Sequence, residues 1–226
     1  MKKHLLLFGI LVIAASAAAQ PSKVNTGEKS DPQAKKLLDK IRNKYEGYKT
    51  LDADFTLTIE VADQPKEVQK GTISQDDKKF RLQMDDQILV SDGKTTWVYL
   101  KKNNEVQIND ADPKDADSGF MSPRELLRRY EKGDFIYAIT DKGSENGKAV
   151  TFIEFKPKDR RSEYAKLRLS IDEKSLEIVG IKAFAKDGSR YAFQLTRLTP
   201  NKQFAPAHFS FDPKKYPGVK IEDLRL

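Results

Sequence analysis

The stretch Ala53-Asp54-Phe55-Thr56-Leu57-Thr58-Ile59-Glu60-Val61 alternates apolar and polar residues over nine positions. A period of two residues is typical of a β-strand with one face on the core and one face in water. Similar segments follow at the close spacing of antiparallel strands as far as Phe211, and we count about eleven of them. The sequence therefore predicts a mainly β fold built on a single antiparallel sheet.

Two amphipathic helices accompany these strands. The first is predicted between Asp31, a suitable N-cap, and Gly47, a suitable stop. The second is predicted to begin at Ser122-Pro123-Arg124-Glu125, which has the form of a capping box. Each helix has an apolar stripe that must be covered, so we expect both to lie on the sheet as a lid. The apolar positions expected to face the sheet are Leu37, Leu38, Ile41, Leu126 and Leu127.

The first residues have the form of a secretory signal. Basic residues at 2–4 precede an apolar run over 5–15, and small residues follow at 17–19. The run is shorter than the roughly 20 residues that span a bilayer. We expect cleavage near Ala19/Gln20 and export to the periplasm. The expected organisation is a removed signal peptide at 1–19, a flexible tail at 20–30 and one domain at 31–226.

Composition excludes several classes of function. The chain has 226 residues and no cysteine, so disulfides, thiolate nucleophiles and cysteine-ligated metals are excluded. Its 41 basic residues are interspersed with 34 acidic ones and include Lys2 and Lys3 of the signal. This pattern predicts no nucleic-acid partner. The mild positive charge permits a weak attraction to anionic membranes or acidic partners.

Few residues are suited to catalysis or metal binding. His208 is the only histidine beyond the signal, whereas a Ser-His-Asp triad or a histidine metal site needs further partners. The alternation over 207–211 predicts a strand in which His208 faces away from Phe209 and Phe211. The acidic stretch 109–117 lacks the glycine of a calcium loop, so we interpret it as a solvated loop. We expect no enzyme activity, metal or cofactor.

An apolar face of the predicted sheet is the candidate site. A strongly curved sheet either fills its interior with its own side chains or leaves a cavity for an apolar ligand, and the pattern leaves both open. With the lid positions given above, the predicted lining is Phe55, Leu57, Ile59, Phe80, Leu82, Met84 and Trp97.

The segment Ile88-Leu89-Val90-Ser91-Asp92-Gly93-Lys94-Thr95-Thr96-Trp97-Val98-Tyr99 resembles a characteristic part of the outer-membrane lipoprotein carrier protein family, the LolA type. In that family an apolar strand leads into Ser-Asp-Gly-Lys and then Trp-x-Tyr. Phe209-Ser210-Phe211 through Gly218-Val219 resembles the family's C-terminal ending. The resemblance covers nearly all of the mature chain.

The resemblance implies an unclosed antiparallel half-barrel, covered by amphipathic helices, that encloses a hydrophobic cavity. It implies a soluble periplasmic chaperone that binds the acyl chains of lipoproteins and carries them from the inner to the outer membrane. The implied partners are acylated lipoproteins, an inner-membrane lipoprotein-releasing ABC transporter and an outer-membrane acceptor, and the implied carrier is a monomer. One departure concerns a lid-binding arginine of the family, because the corresponding turn here reads Gln75-Asp76-Asp77-Lys78-Lys79.

Two other functions stay open at this point. One is a periplasmic protein of the same fold that binds or senses lipids or glycolipids. The other is an envelope enzyme, such as a glycosidase, which would need a carboxylate pair that the sequence does not mark.

Overall fold

The computed structural model describes residues 29–111 and 123–225. The expected signal peptide, residues 20–28 of the expected tail, residues 112–117 of the acidic stretch and Ser122 of the capping box lie outside those ranges. Within the described ranges, neither α-helix has the length and apolar character that a bilayer crossing requires.

Strands dominate the described part of the chain. The helices are α1 (Pro32–Glu46) and α2 (Pro123–Glu131), with short 3-10 helices at Pro206–Phe209 and Pro213–Lys215. The strands are β1 (Thr50–Glu60), β2 (Glu67–Asp76), β3 (Lys79–Met84), β4 (Gln87–Ser91), β5 (Thr95–Leu100), β6 (Glu105–Asp110), β7 (Phe135–Glu145), β8 (Lys148–Pro157), β9 (Tyr164–Asp172), β10 (Glu177–Ala185), β11 (Arg190–Pro200) and β12 (Lys220–Asp223).

All twelve strands form one curved sheet in the order β12-β6-β5-β4-β3-β2-β1-β11-β10-β9-β8-β7. The first and last strands of this order are edges, so the sheet is unclosed. This confirms the predicted fold class, with twelve strands where we count about eleven. Every pair is antiparallel except β12 with β6, a parallel pair that the sequence pattern does not predict.

Helix α1 begins and ends close to the predicted residues. The Asp31 side chain accepts a hydrogen bond from Gln33 N at 2.8 Å, which is the N-cap contact expected at this position. The same residue also covers part of the free edge of β7. Its N–H donates to Tyr137 O at 2.9 Å, and its Oδ2 accepts from Ile139 N at 3.3 Å. Asp31 therefore caps a helix and protects an edge strand at once.

The face of the sheet on which α1 packs is called the inner face. Over β7–β10 it carries a cluster in which buried residues of the helices and of the strands pack together, and we call this the helix cluster. Over β1–β3 it carries a second cluster whose described members all lie on strands. Leu195 and Leu198 of β11 pack against both clusters. The helix cluster contains Ala34, Leu38, Ile41, Tyr45, Leu126, Leu127, Tyr130, Phe135, Tyr137, Ile153, Phe155, Leu167, Leu169, Ile171, Ile178 and Ile181.

The outer face over β4–β6 also carries apolar residues, and the C-terminal part of the chain covers them. We call residues 201–219 the strap. Phe211 of the strap packs with Ile88, Val90, Tyr99 and Val106 in an outer cluster. The predicted strand at 208–211 is wrong: Pro206–Phe209 forms a 3-10 helix, in which proline at the first position favours a helical start.

Candidate functional site

An apolar surface runs across the inner face from β11 to β5. The strand register aligns Phe55 with Gly71 and Gly71 with Met84, and it places Leu82 between Ile73 and Leu89. Because paired residues of antiparallel strands project to the same side, these side chains share one face. We call this set the inner apolar surface. Its residues are Phe55, Leu57, Ile59, Ile73, Phe80, Leu82, Met84, Leu89, Val98 and Phe193.

A glycine allows the Phe55 ring to lie flat on the sheet. A Cβ built at Gly71 would be 2.5 Å from Phe55 Cζ and 2.7 Å from Gln83 O, closer than any real contact. The Phe55 ring also packs against the Phe193 ring, with centroids 4.8 Å apart. Phe55 is 1% exposed, so it forms the floor of the inner apolar surface.

Exposure divides the predicted lining into a floor and a rim. Leu82 and Met84 are buried like Phe55, whereas Leu57, Ile59 and Phe80 are half-buried. The structure thus brings six of the predicted strand residues together on one face. It leaves part of that apolar surface accessible.

The predicted lid residues lie in the helix cluster. Leu38, Ile41, Leu126 and Leu127 are buried there, and Leu37 is half-buried and packs against it. Their neighbours are strands β7–β10. The lid residues and the lining residues therefore occupy adjoining clusters of one inner face.

Polar contacts fasten the two helices to each other and to the sheet. Tyr130 Oη donates to Asp39 Oδ1 at 2.8 Å, and Arg42 Nη1 lies 2.9 Å from Glu131 Oε1. Ile178 N donates to Tyr45 Oη at 3.1 Å, which fixes α1 on β10. Burial raises the pKa of Tyr45 and of Tyr130, so both hydroxyls stay protonated. Helices α1 and α2 therefore form one connected unit.

Trp97 does not join the inner apolar surface. It pairs with Val90 and packs against the outer cluster, on the face opposite Leu82. This corrects the expectation that Trp97 shares a face with Phe55. Because β4 and β5 are apolar on both faces, their sequences do not indicate which residues face inward.

The acidic turn between β2 and β3 lies beside the helices. Asp77 borders a cleft of about 360 Å³ together with Arg42, Lys49 and Arg128. Arg81, in the following strand, lies on the outer face, where its Nη1 donates to His208 O at 3.3 Å. The group that this turn presents to the helices is therefore a carboxylate.

Sequence reasoning missed four residues of the inner apolar surface: Ile73, Leu89, Val98 and Phe193. Ile73 lies in a strand whose other residues are mostly polar, so its alternation is weak. Leu89 and Val98 lie in the strands that are apolar on both faces. Hairpin register is the signal that could have identified three of them, because Ile73 and Leu89 pair with Leu82, and Val98 pairs with Leu89. Phe193 has no such signal, because it pairs with Leu57 across two strands that no hairpin joins.

Buried carboxylates lie on the outer face, in ion pairs. Glu154 is 4% exposed and contacts Lys166 and Arg168 at 2.9 and 2.6 Å. Burial raises the pKa of Glu154, but hydrogen bonds from both cations outweigh it and the net shift is downward. A general acid needs the opposite shift. Within residues 29–111 and 123–225, side chains do not gather into a group that could hold a metal ion.

Comparison with known proteins points to one family. Residues 46–212 match the family model for outer membrane lipoprotein carrier protein LolA. An outer-membrane lipoprotein carrier protein from Edwardsiella ictaluri is 30% identical over 234 residues, covering 100% of this chain and 99% of that protein. An uncharacterized protein from Methanocaldococcus jannaschii is 29% identical over 103 residues. There the match covers 46% of this chain and only 28% of the relative.

A solved structure has a similar fold. It is an uncharacterized conserved protein from Thermus thermophilus, with a TM-score of 0.55 and 11% identity. The match covers 84% of this chain and 99% of that chain. At this identity the likeness concerns the fold alone.

Proposed function

The chain belongs to the outer membrane lipoprotein carrier protein family LolA, and on this premise we propose that it binds the acyl chains of lipoproteins on its inner apolar surface. It carries them through the periplasm from the inner to the outer membrane. Its partners are acylated lipoproteins, an inner-membrane lipoprotein-releasing ABC transporter and an outer-membrane acceptor.

The inner apolar surface is the observation that supports this proposal. Its floor is buried and its rim, which includes Leu57 and Ile59, is half-buried. Partly exposed apolar side chains that adjoin one another mark binding sites for apolar partners. Each methylene of an acyl chain that leaves water on such a surface contributes about 0.8 kcal/mol.

The lid residues contact cargo only when the helices move. Leu38, Ile41 and Leu126 are completely buried against β7–β10 in the structure. A long acyl chain that spreads from the rim toward these strands displaces α1 and α2, which move together because Tyr130 is bonded to Asp39. Affinity then comes from many weak apolar contacts, which suits a carrier that must also release its cargo.

The same proposal covers the setting of the protein. The role is binding and transfer without catalysis. Residues 1–19 act as a removed signal peptide, residues 31–226 form one domain, and the monomer works in the periplasm. The basic, apolar and small-residue order of the first 19 residues supports export.

Mass spectrometry of material that co-purifies with the protein from the periplasm tests the cargo. Acylated lipoproteins in near-stoichiometric amounts are the expected result. Free phospholipid or glycolipid instead would favour a lipid-binding or sensing protein of the same fold. A protein without bound lipid that also fails to bind a fluorescent fatty acid would contradict both functions.

Substitution of the rim tests the surface. Leu57→Arg places a guanidinium among apolar side chains, and we expect affinity for a fluorescent fatty acid to fall about tenfold or more. Thr56→Arg is the matched control, because Thr56 is the adjacent half-buried residue and faces the other side of β1. Equal effects of the two substitutions would contradict binding on the inner face.

A further inference from the structure

One end of the sheet carries most of the chain's excess positive charge. This end comprises the turns β8–β9 and β10–β11 with the strand ends that flank them. Residues 154–168 and 182–190 contain nine lysines and arginines against four carboxylates, an excess of five where the whole chain has seven. Together with the end of α2, where Arg128, Arg129 and Lys132 stand against two carboxylates, they form what we call the cationic end. The charge of the protein is therefore concentrated in one place.

Some cations of the cationic end are held in fixed positions on the outer face. The Lys166 and Arg168 head groups contact Glu154, and they lie 4.8 and 5.9 Å from the centre of the Phe184 ring. Their side chains are still 37% and 32% exposed. One buried carboxylate and one ring thus orient two cations that solvent can reach.

Other cations lie on the exposed turn between β8 and β9. Lys158 N donates to Asp134 O at 2.9 Å, and Arg160 O accepts a hydrogen bond from Lys186 Nζ at 2.6 Å. These contacts use the backbone of Lys158 and Arg160, and both residues are exposed. The turn is held in place without burying their charges.

A cleft of about 370 Å³ separates this turn from α2. Its walls contain four cations and Tyr164 together with three carboxylates, and Arg129 and Arg161 are paired with Asp134 and Asp159. Cations beside a tyrosine are the residue types found where proteins meet the headgroup region of a bilayer.

We propose that the cationic end docks the protein on the anionic headgroups of a phospholipid bilayer. Cations spread over two turns, a strand face and a helix end make many weak contacts with a fluid anionic surface. An acidic peptide is less favoured, because strands β8, β9 and β10 already pair on both sides and leave no edge for it to join. The inference rests on the proposed function, since a carrier that takes cargo from one membrane-bound partner and delivers it to another works at membrane surfaces.

Sedimentation with lipid vesicles tests the docking. We expect the full chain to bind vesicles of phosphatidylcholine with about 30% phosphatidylglycerol, and to bind phosphatidylcholine alone far more weakly. Salt at about 0.5 M should release the protein, because it screens exposed charges. Equal binding to both kinds of vesicle, or no binding to either, would overturn the proposal.

Charge reversal locates the docking surface. Lys158→Glu with Arg160→Glu should lower vesicle partitioning about 30-fold or more, since each surface cation contributes about fivefold. Lys94→Glu with Lys214→Glu is the control of equal charge change at exposed residues elsewhere, and it should change partitioning much less. Lys158→Arg with Arg160→Lys should preserve binding. If the reversed variant does not fold, the proposal is tested by the salt dependence of the unsubstituted protein and by Lys158→Gln, which should bind vesicles more weakly.

Two further measurements separate the possible failures. Binding of poly-glutamate without binding of anionic vesicles would overturn the proposal in favour of an acidic protein partner. If the protein binds a fluorescent fatty acid but none of the vesicles, the docking is refuted and the proposed function stays intact. If the unsubstituted protein does not bind the fatty acid, the proposed function itself is refuted.

Discussion

Asp52 on the outer face of β1 is a carboxylate that the fold has taken out of water. It is 4% exposed and accepts hydrogen bonds from Ser74 Oγ, Arg197 Nη2 and Lys202 Nζ at 2.8, 2.9 and 2.7 Å. Burial raises the pKa of Asp52, but these three donors outweigh it and hold the pKa below its ordinary value of 3.8. The ionised form therefore stabilises the folded state, and it joins β1 and β2 to the start of the strap.

Asp52→Asn should lower the free energy of unfolding at neutral pH by about 2 kcal/mol. Loss of one partner in a buried ion pair costs more than this, but Arg197 and Lys202 are 44% and 45% exposed and solvent screens them. Because the folded pKa is lowered, the contribution is complete above pH 3.8 and is lost as pH falls through the folded pKa.

Urea unfolding of both proteins between neutral and acid pH measures this difference. The gap between wild type and Asp52→Asn should shrink as the pH drops below about 4. Lys102→Ala, at an exposed turn residue, is the control and should change stability by less than about 0.5 kcal/mol. A gap that stays constant down to pH 2 would contradict a stabilising ionised Asp52.

At the scale of elements, Asp31 is the junction between a helix start and a strand edge. Asp31→Ala removes the cap of α1 and the bond to Ile139 N, and we expect a loss of about 1–2 kcal/mol of stability. Asp31→Asn keeps the oxygen that caps α1 but replaces the oxygen that accepts from Ile139 N with an amide nitrogen, so it should lose less stability than Asp31→Ala and still destabilise the edge contact. Thermal unfolding compares the two variants, and static light scattering reports whether the freed edge of β7 promotes association. Equal stability of Asp31→Ala and wild type would contradict the double role.

The elements also explain which parts of the fold are predictable from sequence. Strand β1 has one solvated face, so the alternation of Phe55, Leu57 and Ile59 gives both the strand and its orientation. Strand β5 is apolar on both faces because the strap covers one of them, and local alternation cannot orient Trp97. Asp31 and the apolar stripes predict the lid helices, but they do not predict which strands the helices cover. That choice depends on the order of strands in the sheet, which is a property of the whole chain.

Strand β12 and the strap lack a local signal for a similar reason. Lys220–Asp223 is short and exposed, and it becomes a strand only because β6 offers a free edge. His208 is half-buried, and its ring stacks on that of Phe204 with centroids 4.5 Å apart. It lies in a 3-10 helix, although the alternation predicts a strand. In both segments contacts with distant residues decide the local conformation.

At the scale of the whole molecule, the strap runs from the end of β11 across the outer face to the β12 edge of the sheet. Phe211 is 8% exposed, stacks on Tyr216 at 4.7 Å and packs against Tyr99 at 5.5 Å. Phe211→Ala should therefore destabilise the protein by about 3 kcal/mol and increase the binding of a hydrophobic dye, as the outer cluster becomes accessible. Urea unfolding and dye fluorescence measure the two effects.

Lys214→Ala serves as the control for Phe211→Ala, because it changes an exposed strap residue. It should alter stability by less than about 0.5 kcal/mol and leave dye binding unchanged. If Phe211→Ala behaved in the same way, the strap would not be what covers the outer cluster.

The pairing of β1 with β11 determines when β1 can complete its hydrogen bonding during synthesis. Leu51 lies opposite Pro200, so one side of β1 has no partner until nearly the whole chain has left the ribosome. At a synthesis rate of about 5–20 residues per second, the segment from Leu51 to Pro200 takes roughly 7–30 s to be made. During that interval β1 is an unpaired edge rich in apolar residues, which other chains can join. The nascent protein is therefore most prone to aggregation before its eleventh strand arrives, and a helper that shields β1 would act in that period.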